Sequence, residues 1–168
     1  IIMNVIKAFF KLTRWSNLLM IAIMMLLVHY CLMSPLLTSD VVSVMPSKPA
    51  FLLLLISLVF IVAGGYVIND LFDVEIDKLN KPDKLIVSNV FTEKETKISY
   101  IMLTIIGLVA GLASSLMIGK SDFLTLFALL SFLVAILYSY SSTYKRKFFV
   151  GNLIVSLSVA FAVFLPWL

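Results

Sequence analysis

Five stretches of this chain, Trp15–Met33, Phe51–Ile68, Ile98–Ile118, Phe123–Tyr140 and Phe148–Leu168, contain no Asp, Glu, Lys or Arg. A helix rises about 1.5 Å per residue, so ~20 apolar residues cross the ~30 Å hydrocarbon layer of a bilayer. Each stretch is near that length. Backbone polar groups in lipid must be satisfied within their own segment, and none of the stretches alternates apolar with polar residues as a barrel strand does. The expected fold is therefore all-α: a polytopic membrane helix bundle with about five transmembrane helices. Composition agrees, with 62% hydrophobic and 13% charged residues, where soluble domains carry about 45–50% and roughly 25%. A soluble globular enzyme, a disordered chain and a nucleic-acid-binding domain are excluded. The first stretch is too long for the apolar core of a cleaved signal peptide, and no small-residue cleavage site follows it. Cys31 is the only cysteine and cannot form an internal disulfide.

Basic residues collect on cytoplasmic loops. Lys7, Lys11 and Arg14 precede the first stretch, and only Lys48 follows it. Lys78, Lys81, Lys84, Lys94 and Lys97 lie between the second and third, Lys120 between the third and fourth, and Lys145, Arg146 and Lys147 after the fourth. The alternation 3, 1, 5, 1, 3 predicts an integral, multi-pass protein of the cell (inner) membrane, with its N-terminus and the loop after the second span in the cytoplasm. The net charge of +4 then reports orientation and requires no nucleic acid. Ser34–Ala50, with Pro35, Pro46 and Pro49, is expected to be an irregular connection on the far side, and Asp40 and Asp122 to be loop charges. Gly119–Asp122 is short enough to make spans three and four an antiparallel hairpin. Gly107, Gly111 and Ser115 form a small-residue stripe that suits close helix packing.

The second span runs into Tyr66-Val67-Ile68-Asn69-Asp70-Leu71-Phe72-Asp73-Val74-Glu75-Ile76-Asp77. At about 100° per residue, with Asp70 at zero, Asp73 falls near −60°, Asp77 near −20°, Asn69 near −100° and Tyr66 near −40°, while Glu75 lies near 140° on the other side. Three carboxylates and an amide share one stripe at the membrane boundary. Like charges at this spacing repel by a few tenths of a kcal/mol per pair, and a cation among them removes that penalty. Oxygen ligands without His or Cys suit a hard ion, Mg²⁺ or Ca²⁺. Lys78, Lys81 and Lys84 follow directly, as a metal–diphosphate complex would require: the acids hold the ion and the lysines neutralise phosphate oxygens it does not reach. A solvated helix end followed by ordinary cytoplasmic lysines gives the same spacing. Membrane depth favours function, because ionisable groups there are functional by default.

The run Asn69-Asp70-Leu71-Phe72-Asp73-Val74-Glu75-Ile76-Asp77 resembles the NDxxDxxxD motif of the UbiA superfamily of intramembrane prenyltransferases. Asn80-Lys81-Pro82-Asp83-Lys84 is similar to that family's N-R-P-x-R-P segment, with lysine for arginine and Leu85 for the second proline. Arg14 and Asn17 resemble its early Arg…Asn pair. Tyr138-Ser139, Lys145-Arg146 and Gly151-Asn152 resemble its Y-S…K-R…G-N stretch. The resemblance implies about nine helices around a central cavity, of which this chain holds about five, so that 1–168 is expected to be the N-terminal part of a single domain. It implies Mg²⁺ as cofactor, held by Asp70, Asp73 and Asp77 as catalytic metal ligands. Arg14, Asn17, Asn69, Lys81, Lys84, Tyr138, Lys145 and Arg146 become the expected substrate-binding residues. The implied partners are a polyprenyl diphosphate, a lipophilic acceptor (a quinone precursor or a glycerol-phosphate lipid) and membrane lipid. A second Asp-rich motif, which the family carries after its sixth helix, is not within these residues.

Two other readings compete. A multi-span transporter could bind a cation on the acidic stripe, although transporter sites usually sit near the midplane on broken helices. A truncated remnant could lack catalysis altogether. Tyr66, Tyr138 and Tyr140 suit cavity walls or an interfacial aromatic belt. His29, within the first span, stands toward its extracytoplasmic side, at the end away from the acidic motif.

Overall fold

The computed structural model of the protein describes residues 2–33, 46–80, 85–118 and 123–146, together with Ser156 and Ala160. Helix α1 covers Ile2–Leu12. Helix α2, Trp15–Leu27, continues as a π-helical segment, Val28–Met33. Helix α3 is Lys48–Asn80, α4 is Glu93–Ile118 and α5 is Phe123–Ser142, followed by a 3₁₀ turn at Tyr144–Arg146. Among the described residues there is no strand, only a single bridge between Val87 and Phe91.

Four described helical segments, Trp15–Leu32 and α3, α4 and α5, are long and apolar enough to cross a membrane. They coincide with the first four apolar stretches. The fifth, Phe148–Leu168, lies outside the described residues except for Ser156 and Ala160, both helical. Of the connection expected to be irregular, Ser34–Ala50, residues 34–45 also lie outside them, as do Asp40 and Asp122, whereas Lys48–Ala50 is helical and forms the start of α3.

Cross-helix contacts set the directions. α2 runs antiparallel to α3: Arg14 meets Asp70 at one end, and His29 stacks on Phe51 at the other, 3.9 Å between ring centroids. α4 runs antiparallel to α3, with Ser114 Oγ donating to the Ala50 carbonyl at 2.8 Å. The small-residue stripe is a packing face. A Cβ on Gly107 would lie 2.7 Å from Ile61 Cγ1 and 3.0 Å from both the Ile61 nitrogen and the Ser57 carbonyl oxygen. A Cβ on Gly111 would lie 2.4 Å from Leu130 Cδ1 and 2.7 Å from Ser57 Oγ. α5 then runs parallel to α3, so its C-terminal end reaches the acidic motif.

Two apolar clusters hold these elements together. Met25, Phe51, Leu54, Leu58, Ile61, Leu126, Leu130 and Leu133 join α2, α3 and α5. Leu12, Ala63, Val67, Val74, Val87 and Leu103 join α1, α3, α4 and the segment before α4 at the acid-bearing end. α4 begins with a capping box: Thr92 N donates to Glu95 Oε2 at 2.8 Å and Glu95 N to Thr92 Oγ1 at 3.2 Å, which satisfies two donors that a helix start leaves open.

α3 is 33 residues long. At about 1.5 Å per residue it spans ~50 Å, well beyond the ~30 Å of hydrocarbon. Its last turns, from Asn69 to Asn80, therefore carry the acidic motif out of the apolar layer without breaking the helix.

Candidate active site

Asp70 and Asp73 sit one turn apart on the inward face of α3, each with a side chain 24% exposed. Glu75 is 83% exposed and pairs with Lys78 at 2.8 Å, so it lies on the opposite, solvated face as the helical angles require. Asp70 feels the charges of both Asp73 and Asp77. Among the described residues, however, no three Asp, Glu, His or Cys side chains converge closely enough to hold a metal ion. The structure brings Asp70 and Asp73 into contact with cations and leaves Asp77 about one turn farther along, without an ion pair or hydrogen bond among the described residues.

Each of the two inner carboxylates meets a cation from a different part of the chain. Arg14 Nη2 lies 3.0 Å from Asp70 Oδ1. Arg14 has φ 52° and ψ 53°, a left-handed conformation that non-glycine residues adopt rarely and at a cost. That conformation turns the chain from α1 into α2 and directs the guanidinium across to α3, where it also lies 4.8 Å from the centre of the Tyr66 ring. One turn on, Asn17 Nδ2 donates to the Tyr66 hydroxyl at 3.4 Å. Lys145 Nζ, from the 3₁₀ turn after α5, lies 2.7 Å from Asp73 Oδ1, with its side chain only 11% exposed. The same ammonium donates to the Asn69 carbonyl at 3.5 Å and stands 6.0 Å from the centre of the Phe72 ring. Asn69 Nδ2 donates to Asp73 Oδ2 at 3.1 Å.

The expected residues Arg14, Asn17, Asn69, Asp70, Asp73, Tyr138 and Lys145 are thus drawn from distant parts of the sequence to one end of the bundle. Tyr138 lies edge-on to Phe72, 5.8 Å between centroids, and 6.4 Å from Tyr100. Lys81, Lys84 and the side chain of Arg146 fall outside the described residues. Sequence reasoning passed over Phe72, whose ring links Lys145 to Tyr138; its place two residues from Asp70 on an otherwise acidic helix end was the available signal. It also passed over α1, because Lys7 and Lys11 were read only as topology marks.

Two clefts adjoin this cluster. A basic cleft of about 610 Å³ is lined by Lys7, Phe10, Lys11, Arg14, Trp15, Ser16 and Asn17. An apolar groove of about 450 Å³ runs between α1, α2 and α3, and shares Phe10 and Trp15 with it. Chemically, the two inner carboxylates fit a hard divalent ion: they offer only oxygen, and Mg²⁺ characteristically takes one or two carboxylates with waters and a substrate phosphate. The cationic groups already seated on both carboxylates show that the position accommodates positive charge.

The chain matches the model of the UbiA prenyltransferase family over residues 31–168. It is 31% identical over 159 residues to digeranylgeranylglyceryl phosphate synthase of Sulfurisphaera tokodaii, an alignment that covers 95% of this chain and 51% of that one. It is 41% identical over 106 residues to the protein of the same name from Saccharolobus solfataricus, covering 62% and 34%. A solved structure concerning digeranylgeranylglyceryl phosphate synthase in membranes shares the fold, with a TM-score of 0.72 at 24% identity, over 97% of this chain and 52% of that one. The chain spans about half the length of these relatives or less.

Proposed function

The chain belongs to the UbiA prenyltransferase family, and from that premise we propose that residues 1–168 are the N-terminal part of one prenyltransferase domain, with the acid-bearing end in the cytoplasm. That end takes the diphosphate of a polyprenyl diphosphate, with Mg²⁺ on Asp70 and Asp73 and with Asp77 as a further ligand once substrate is bound. The observation that carries this reading is the pair of inward carboxylates on α3, each in contact with a cation from another helix and bordered by aromatic rings. A diphosphate is a polyanion on an apolar tail, and this is the boundary where such a molecule sits. Mg²⁺ held there would supply Lewis acidity to the departing diphosphate.

The chain's own residues do the rest. Arg14 and Lys145 are positioned to donate charge-assisted hydrogen bonds to phosphate oxygens as negative charge builds on them. Lys81, Lys84 and Arg146 are further phosphate-binding candidates. The faces of Tyr66, Phe72 and Tyr138 stabilise the allylic cation left by the diphosphate. Phe72 and Tyr138 are 38% and 45% exposed, so excluding the water that would trap that cation as an alcohol requires these rings to be covered by substrate or by further chain.

The acceptor we favour is a glycerol-phosphate lipid, because the relatives are named for synthesis of digeranylgeranylglyceryl phosphate. Such an acceptor has an anionic head and apolar chains. The basic cleft with Lys7 and Lys11, opening into the apolar groove through Phe10 and Trp15, has that same division of character. A quinone precursor, whose aromatic ring carries at most a carboxylate, matches a phosphate-binding cleft joined to a long apolar groove less well. A cation transporter is disfavoured because the acids stand at one end of the bundle, away from the midplane.

Binding of labelled geranylgeranyl diphosphate to the purified chain tests the site. Binding should require Mg²⁺ and be lost in Asp70→Asn and Asp73→Asn. Binding of equal strength in these variants would overturn the reading. In the longer enzyme, transfer to a geranylgeranyl glycerol phosphate but not to a quinone precursor identifies the acceptor class, and the reverse result overturns it.

A further inference from the structure

We propose that Lys145 is a built-in occupant of the divalent-cation site, holding Asp73 closed until a metal–diphosphate complex arrives to displace it. This rests on the reading of Asp70 and Asp73 as Mg²⁺ ligands, but it concerns what the chain does before substrate binds.

The two carboxylates are not equivalent. Asp70 has one oxygen engaged, by an Arg14 side chain that is 43% exposed, and its Oδ2 has no partner among the described residues. Asp73 has both oxygens engaged: Oδ1 by Lys145 at 2.7 Å and Oδ2 by the Asn69 amide at 3.1 Å. Lys145 is also seated by the Asn69 carbonyl and the Phe72 ring. A metal that binds Asp73 must compete with an ammonium already at hydrogen-bond distance and largely out of water. Such a competitor is always present, because it is tethered to the end of α5.

A free divalent ion has no compensation to offer the displaced lysine, which would face a metal of its own sign. A diphosphate does, because its oxygens accept the ammonium that Asp73 releases. The arrangement therefore couples metal occupancy to substrate. The empty site resists free Mg²⁺, while the ion and the diphosphate bind together, and Lys145 passes from carboxylate to phosphate without leaving the site. A coupling of this kind is worth about tenfold in affinity, within the usual range for linked binding.

The test uses Mn²⁺ as a paramagnetic substitute, titrated into the 168-residue chain in detergent without diphosphate and read by electron paramagnetic resonance. Lys145→Met should bind Mn²⁺ at least about tenfold more tightly than the unaltered chain, since it removes the competitor. Lys145→Arg, which keeps a cation in place, should not. Adding Asp73→Asn to Lys145→Met should abolish the gain. A residue that merely supports the structure would weaken binding when lost, so the sign of the effect is diagnostic. A second measurement needs no variant: Mg²⁺ raised far enough to fill the site against its competitor by mass action should raise modification of Lys145 by an amine-directed reagent several-fold, relative to Lys78 as an internal standard. If Lys145→Met binds Mn²⁺ no more tightly, or if Mg²⁺ at a concentration shown to fill the site of the unaltered chain leaves Lys145 labelling unchanged, the proposal is overturned. If neither the unaltered chain nor Lys145→Met binds Mn²⁺ at millimolar concentration, the metal reading of Asp70 and Asp73 falls as well, and the two failures are told apart.

Discussion

Individual side chains separate two kinds of acidic residue on one helix. Asp70 and Asp73 face inward onto Arg14 and Lys145, whereas Glu75 is 83% exposed and pairs with its neighbour Lys78. Loss of a metal ligand should exceed the ~10–100-fold cost of losing an outer partner of such a site. Turnover in Asp70→Ala and Asp73→Ala of the longer enzyme should thus fall by more than about a hundredfold. Glu75→Ala should stay within about twofold, because exposed substitutions away from such features change energies by only ~0.5 kcal/mol. Steady-state prenyl transfer measures both, and equal damage from Glu75→Ala would refute the division of faces. Phe72→Leu retains apolar bulk but removes the π face beside Lys145 and Tyr138; a cation–π contact is worth about 2 kcal/mol once desolvated, as this ring would be with the prenyl chain seated over it. It should reduce kcat by about tenfold or more with little change in diphosphate binding, which a KM-against-kcat comparison separates. These inward and outward assignments were legible in the sequence because helical periodicity alone fixes them. Phe72 was not, since an aromatic at a membrane boundary belongs equally to a cavity wall or an interfacial belt. Nor was the ion pairing, because Arg14 and Lys145 lie 56 and 72 positions from their partners, and only the packing of α2 and α5 on α3 brings them together.

At the level of elements, the apolar stretches located four helices, three of them to within about five residues at each end, because the length of a membrane span is set by the bilayer rather than by side-chain propensity. What hydropathy does not report is how far a helix continues into water. α3 and α4 extend past their apolar cores, α3 carrying the acidic motif with it and α4 starting at its Thr92–Glu95 capping box. α1 escaped notice for a related reason: its eleven residues are too short to span, and its lysines drew attention to charge rather than to the buried Leu12 and the Phe9–Phe91 contact. The α3–α4 seam offers a sharp test of packing. At Gly107 a new methyl meets backbone atoms of Ser57 and Ile61 at 3.0 Å, which can yield only if the helices separate. At Gly111 the closest atoms belong to the Leu130 and Ser57 side chains, which can rotate. Overpacking typically costs about 1–3 kcal/mol, so Gly107→Ala should destabilise the bundle by an amount in that range and Gly111→Ala by less. Thermal unfolding in detergent ranks the two, and the opposite order would mean that the seam is looser than these distances indicate.

The molecule as a whole is polarised along the bilayer normal, and the polarity links charge, site and orientation. One end carries Arg14, the acidic motif and Lys145; the other carries the π-helical segment with His29, stacked on Phe51 and 5% exposed. His29 Nδ1 has no hydrogen-bond partner among the described residues, and its distance from the carboxylates keeps it out of the proposed chemistry. The basic residues alternate 3, 1, 5, 1, 3 along the chain, and positive loops are retained in the cytoplasm. Prenyl diphosphates and phosphate-headed acceptors are too polar to cross the hydrocarbon unaided, so the end that receives them must face the compartment where they are made. Charge distribution and the proposed chemistry therefore call for the same orientation for independent reasons. With Cys31 replaced by serine, a cysteine at the exposed position Lys94 should be protected from an impermeant maleimide in intact cells and react only after permeabilisation. A cysteine at the exposed position Lys48, at the opposite end of α3, should react in intact cells. Labelling of the Lys94 position from outside would invert the bundle. It would also place the carboxylates where no cytoplasmic diphosphate could reach them, so a single labelling experiment bears on both the topology and the proposed reaction.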